Sequence, residues 1–512
     1  MKKTLSIALS CLVALLALWV LALPKAGLSS EPPETEWSTT YGGSGTEQAR
    51  YMIQTNDGGY ALVGYNVEWV QTREGGRDFW LVKADEGGNM EWSLTVAGYI
   101  AAYSEPLVQA ADGGYVITGS NYSDSGSYTL WLAKIDVFGD IKWSQPYGVG
   151  GDFCGAGSVV RTLDGGYMIA AKKGSFYAGE QDVWLIKTDA DGNEQWNKTY
   201  GGQNNDIQYS LIQTRDGGYA VAGATDSYGA GNYDAWLLKI NSSGIEEWNA
   251  TYGGTNGENA LSLTQTRDGD YVLAGYKELH DVGRMTDCWL VKADADGNHL
   301  WNKTYGGTNS EHAHSVVQTG DGGYALACNT KSIGAGSYDA WLVRTDASGN
   351  MLWNQTYGAT EWDSAQTVVQ TEYCGYALAG YTNSFGAGSY DFWLIKLAPE
   401  CIPAAVDIDP DTLNLKSNGQ WITAYISLPE EYNVEDIIPD TVNLWGISAA
   451  WAETQDSVYM AKFDRATVQT AVTNEPDYDS APKFYDITLF VTGELADGTP
   501  FEGSDTITVL KK

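Results

Sequence analysis

Seven similar stretches of this chain offer the same places for chemistry. One place carries an acid in five of them, Glu47, Asp206, Glu258, Glu311 and Asp363, with Ala102 and Cys154 in the other two. Seven residues further on stands an amide, Gln54, Gln109, Gln213, Gln265, Gln318 or Gln370, with Arg161 as the exception. Rings of carboxylates and amides suit a hard cation such as Ca2+ or a hydroxyl-rich ligand. The same groups also serve simply to cap loop amides and satisfy strand ends. A second acid, at Asp78, Asp182, Asp234, Asp287, Asp339 and Asp391, precedes a Trp by two residues. Its regularity reads as structural support, a hydrogen bond to a neighbouring loop.

The places where the stretches differ are more informative. "NVEWVQTREGGR" and "KELHDVGRMT" replace a usual "SFGAGSY", bringing in Trp69, Arg73, Arg77, His280 and Arg284, while "ATEWDS" sets Trp362 beside Asp363. An exposed indole near carboxylates suits stacking on a sugar ring. Loop drift in a tolerant repeat would produce the same differences, and both readings stand. Other chemistry finds less support. His299, His312 and His314 lack a ligand spacing, which argues against zinc. "DADGN" at Asp189 and Asp294 lacks the twelve-residue calcium frame and its final Glu, so it reads as a hairpin turn. Asp407, Asp409 and Asp411, next to Pro410, fit a strand-end turn, with calcium ligation as the alternative. Cys154, Cys288, Cys328, Cys374 and Cys401 are scattered singly and read as buried thiols with room for one disulfide. No nucleophile elbow, phosphate loop or dinucleotide fingerprint is present.

What must position these groups is a repeat of about fifty residues. "DGGY" begins at Asp57, Asp112, Asp164, Asp216 and Asp321, varies to "DGDY" at Asp268, and degenerates to "YCGY" at Tyr373. Each unit holds four strand-like runs, such as "YSLIQT", "YAVAGAT", "DAWLLKI" and "EEWNATY", separated by Gly-rich or Asp/Asn-rich turns. The middle runs are apolar on both faces, as in a sheet packed on both sides. Four strands repeated radially predict a β-propeller. The seventh unit lacks a fourth strand, and "EWSTTYGG" before the first unit supplies it, leaving no open edge. The fold expected is all-β: a seven-bladed propeller closed by an N-terminal strand, followed by a β-sandwich. The first strand of each unit would then line a central channel, and the longer loops would share one face, where binding usually resides.

"KADADGNHLWNKTYGG" (Lys292 to Gly307) resembles the third-to-fourth-strand hairpin of quinoprotein-type propellers, although one residue shorter and without their adjacent cysteine pair. The whole unit, as in "DGGYALAGYTNSFGAGSYDFWLIK", is similar to propeller repeats of secreted archaeal and bacterial surface proteins. The resemblance runs from Trp37 to about Leu397 and implies architecture rather than activity. The alternating runs from Ile402 onward are similar to a small β-sandwich module appended to many such secreted proteins, with "FDRATVQTAV" as a short helix.

The chain has 512 residues, with 65 acidic and 30 basic side chains and a net charge of -35. That balance argues against nucleic acid as a partner. Residues 1–28, with Lys2 and Lys3 before an apolar run, read as a signal peptide or an N-terminal membrane anchor, and residues 29–35 as a linker. Residues 36–400 form the propeller and 401–512 the sandwich. Sequons occur at Asn121, Asn197, Asn241, Asn249, Asn302 and Asn354. The expected function is a secreted or surface-anchored, non-enzymatic protein that binds a surface glycan or protein on the long-loop face. It needs no cofactor beyond a possible Ca2+. The alternative is a carbohydrate hydrolase or lyase on the same face, with a quinone-dependent dehydrogenase third.

Overall fold

The computed structural model describes residues 32–67, 78–96, 106–122, 128–148, 153–175, 180–279, 285–371, 374–445, 447–455, 457–473 and 483–511. The architecture is almost wholly β and propeller-like. The chain divides near residue 400 into two compact units. The first contains seven four-stranded antiparallel sheets, numbered here in chain order. Sheets 1 to 6 cover residues 46–96, 107–147, 153–200, 206–252, 258–305 and 311–357, and within each the strands lie in sequence order. Sheet 7 combines residues 363–397 with the N-terminal strand Thr35–Tyr41. There Trp37 faces Lys396 and Thr40 faces Trp393. Trp196 against Lys187 and Thr199 against Trp184 give the same register in sheet 3, so Thr35–Tyr41 occupies the fourth-strand position.

Why each sheet is apolar on both faces is visible in sheet 4. Its third strand, Asp234–Ile240, is buried throughout. Successive side chains point to opposite faces. Trp236, Leu238 and Ile240 therefore pack with sheet 3, while Ala235 and Leu237 pack with sheet 5. Seven such apolar clusters join consecutive sheets, and one of them packs Met52, Tyr60 and Trp80 of sheet 1 against Ala379, Phe392 and Leu394 of sheet 7. The first strands also contact one another in the same cyclic order.

The fourth-strand Trp clasps the next sheet. Gly244 sits in a tight turn at φ +70°, and a Cβ there would meet the ring of Trp196 at 2.7 Å. Only glycine satisfies both the left-handed backbone and that approach. Tyr200, four residues after the Trp, donates its hydroxyl to Gly244 O at 2.7 Å. Tyr41, Tyr252 and Tyr305 repeat the bond on Gly88, Gly297 and Gly349.

The second unit contains one sheet that includes strands Phe484–Glu494 and Pro500–Leu510, and another built on Ala405–Asp409, Trp421–Ser427, Trp451–Gln455 and Val458–Asp464. The expected short helix is present as Arg465–Thr473. Asp407, Asp409 and Asp411 are exposed, Asp407 in the middle of the strand Ala405–Asp409 and the other two at its end, in keeping with the turn. Cys288 and Cys328 are buried free thiols. Among the described residues no helix is long and apolar enough to cross a membrane; the N-terminal apolar run lies outside them.

Candidate functional site

Each sheet has two ends. At the turn end lie the DGGY turns and the third-to-fourth hairpins; at the loop end lie the longer connections. The five repeated acids stand at the loop end, at the start of first strands. They do not form an open ring: Glu47 is 2% exposed and Asp206, Glu258, Glu311 and Asp363 are fully buried. In Asp206, Glu311 and Asp363 the oxygens are taken up by the preceding loop and by the strand beside them. Asp206 Oδ2 accepts from Gly202 N at 2.7 Å and from Ser227 Oγ at 2.7 Å, and Thr225 donates to Oδ1. Glu311 takes Gly307 N at 3.0 Å, Thr330 Oγ1 at 3.1 Å and Ser332 N at 3.1 Å. Asp363 repeats the scheme with Ala359 N, Ser384 Oγ and Thr382. The expected ring of mouth acids is therefore corrected to a set of loop caps. Unpaired, these buried carboxylates would be costly, and backbone amides were the nearest donors.

The third-strand acids also bind their own loops, as expected. Asp234 accepts from Ala230 N at 2.9 Å, Asp339 from Gly336 N at 3.0 Å, and Asp391 from Ala387 N at 3.1 Å. Sequence reasoning treated the two sets of acids separately, but the fold brings them together across neighbouring sheets. A Cβ on Gly253 would meet Glu258 Oε2 at 2.4 Å and Asp234 Oδ1 at 2.5 Å. Gly201, Gly306 and Gly358 hold the same position between Asp182 and Asp206, Asp287 and Glu311, and Asp339 and Asp363. Burial, reinforced by the neighbouring acid, raises the carboxyls of Asp234, Asp287 and Asp339 above the ordinary range. No group of three or more metal-ligating side chains is present among the described residues.

The amide ring does different work. Gln109 accepts from Asn56 N at 2.9 Å, Gln213 from Leu163 N at 3.0 Å, Gln265 from Arg215 N at 3.0 Å and Gln318 from Arg267 N at 2.9 Å. Each of these four staples its sheet to the strand 1–2 turn of the preceding one, whereas Gln54 donates to Gly58 O of its own turn. Sequence reasoning also missed a cation at every turn end, the Lys that follows Trp-Leu by one residue. Lys83, Lys187 and Lys239 are nearly buried and bind Asp57, Asp164 and Asp216 at 3.0, 2.9 and 2.8 Å. Arg344 replaces the Lys in sheet 6 and binds Asp321 at 2.7 Å. In sheet 7, where the turn Asp is lost, Lys396 donates to Thr371 Oγ1. The signal was present as "WLxK" in the repeat.

Of the loop residues singled out, Trp69, Arg73, Arg77, His280 and Arg284 lie outside the described residues. Trp362 is half-buried, with its ring 4.4 Å from that of Tyr338, so one face is already covered. The sequon asparagines Asn197, Asn302 and Asn354 accept the indole N–H of Trp184, Trp289 and Trp341 at 3.0, 3.2 and 2.9 Å. Asn241 caps a turn through Ser243 N and Ile245 N, and Asn249 donates to Glu246 at 2.6 Å. Nothing is described of the side chain of Asn121.

A second polar set was not anticipated. The first strands of sheets 1, 4, 5, 6 and 7 each carry a one-residue bulge, and the extra residues are Arg50, Tyr209, Leu261, His314 and Gln366, four of them with polar atoms. A bulge re-aims a side chain that the pleat would otherwise pair. Arg50 donates to Gln48 Oε1 at 2.8 Å, Gln366 Oε1 at 3.3 Å and Tyr65 OH at 3.1 Å, and lies 5.3 Å over Tyr381. His312 packs 4.5 Å from Tyr276 and 6.1 Å from His314, and burial pushes its imidazole down to about 4. Lys172 of sheet 3 lies 5.4 Å over Tyr209, and burial alone brings its ammonium down to about 8.

No family model matches the chain. It is 28% identical over 187 residues to the regulatory protein FlaEY of Caulobacter vibrioides, a match covering 31% of this chain and 20% of that protein's length. Among solved structures, a protein of unknown function from Dyadobacter fermentans aligns over 71% of this chain and 99% of its own, at 12% identity and a TM-score of 0.44. An ulvan lyase aligns over 70% and 95%, at 8% identity and a TM-score of 0.44.

Proposed function

We propose that the chain is an exported, surface-tethered binding protein with carbohydrate as its leading ligand class. Its seven sheets are the blades of a propeller closed by the N-terminal strand, followed by a sandwich module. The ligand is engaged at the loop end, where the first strands converge. One observation carries this reading: repeated carboxylates and amides are consumed by loops and turns, whereas the bulges of sheets 1, 4, 6 and 7 carry unlike side chains, of which Arg50 and Gln366 meet. A scaffold needs identical residues in identical places, and departures concentrated in one region mark use rather than support. The acid pairs are buried under loop amides, which suits binding better than hydrolysis. Glycan-array binding by the full chain, with calcium and with chelator, tests this. Selective retention of a saccharide class in both conditions is the expected result. An empty array, beside a positive pull-down of a surface protein, would replace carbohydrate by protein adhesion.

A further inference from the structure

Resting on that reading, we infer that the ligand carries a negative charge, as a carboxylate or sulfate on a sugar ring, and that Lys172 and Arg50 receive it in the central channel. The chain carries a net charge of -35, so its overall field repels anions. Several lysines of the sheets are paired with acids. Lys83, Lys187 and Lys239 each have the Asp of a DGGY turn, and Lys277 lies 3.5 Å from Glu258. Lys172 departs from this pattern. It has no ion-pair partner among the described residues and lies over the ring of Tyr209.

The register makes the departure plain. Lys172 faces Gly155, in the place held in other sheets by Tyr65 against Gln48, Tyr276 against Asn259 and Tyr381 against Ser364. A cation has been set where the repeat places an aromatic or a small residue. Arg50 departs in the same way. Its fork is held by two amides and a phenol rather than a carboxylate, and its Nε is buried with no acceptor. Both residues are half-buried. Retaining two cations with no acid partner among the described residues is costly unless an anion completes them.

The company these cations keep identifies the rest of the ligand. Tyr65 and Tyr381 flank Arg50, Tyr209 lies under Lys172, and Tyr209 OH reaches Asn259 Oδ1 at 3.5 Å. Aromatic faces with amides between them suit the faces and hydroxyls of a pyranose. Burial drives His312 and His314 neutral, so they bring no extra charge at neutral pH. The corresponding residue of sheet 2, Glu105, lies outside the described residues.

The test is isothermal titration of the full chain with trigalacturonate, a sulfated galactotriose, neutral galactotriose and inorganic phosphate. Saturable binding of either acidic sugar, at least tenfold tighter than the neutral one, is expected, with that preference lost in Lys172→Met. The conservative Lys172→Arg should keep it, which separates a charge role from a packing role. Equal binding of acidic and neutral sugars would overturn the anion inference and leave the carbohydrate reading intact. Acidic-sugar binding unchanged in both Lys172→Met and Arg50→Gln would place the site elsewhere and overturn it too. Binding of phosphate with no response to any sugar would remove the saccharide, and silence from all four would remove both proposals.

Discussion

The two ends of each sheet use the same side chain in opposite ways. At the turn end, burial would raise Asp57, but Thr55, Lys83 and the Gly59 amide outweigh it and hold the carboxyl below its ordinary value. Asp164 and Asp216 repeat this balance. At the loop end the nearest charged neighbour is another acid, and Asp234, Asp287 and Asp339 are raised. One end stores favourable pairs and the other stores repulsion covered by loop amides. Both are repeated, and both are therefore scaffold. The difference shows that counting carboxylates finds architecture, and that a site must be sought where the repeat fails.

Four changes would break or sharpen this contrast. The largest effect belongs to neither end but to the core they share: Trp341→Ala removes an indole 1% exposed, and denaturant unfolding should show a loss of about 3–5 kcal/mol. At the turn end, Lys239→Ala strands Asp216 and Glu247, whose side chains are 58% and 42% exposed. Water then recovers part of the loss, so the cost should be roughly 1–3 kcal/mol, with Lys239→Met well below it.

Lys172→Met should stabilise the chain by about 1–2 kcal/mol, because it deletes a half-buried charge that has no acid partner among the described residues. Its ammonium is depressed from 10.5 to about 8 in the folded chain. The folded state therefore binds fewer protons than the unfolded one between those values, and wild-type stability rises from pH 8 toward 10.5. Melting curves of the variant should lack that rise. Asp339→Asn gives the smallest effect and the opposite pH sign. A raised carboxyl favours the folded state below its unfolded value and loses that contribution as pH climbs through the folded one. Wild-type stability should thus increase on mild acidification, then fall once pH drops below the ordinary 3.8 and the turn-end pairs protonate. The Asn variant should show a weaker first phase.

The strand and turn pattern could be read from sequence because repetition multiplies weak signals. A single "DGGY" is only a turn, but its return in register with Trp-Leu and Trp-x-x-Thr-Tyr fixes four strands per unit. The Thr35–Tyr41 strand was legible for the same reason: its Trp, Thr and Tyr spacing matches fourth strands elsewhere. The site was much less legible. Glu47 and its equivalents were named, but their burial depends on loop amides that meet only after folding. The Lys of "WLxK" passed unnoticed because a lysine on a strand usually points to water. Arg50, His314 and Gln366 were hidden by the bulges, which change which face a residue occupies and leave no composition mark. Lys172 was hidden by a register that only the paired strands define.

The most direct test of the division between scaffold and site is to titrate trigalacturonate into two lysine variants side by side. Lys239→Met at the turn end should bind like the wild type, while Lys172→Met at the loop end should lose at least tenfold in affinity. Equal loss in both, with both variants folded, would contradict the account.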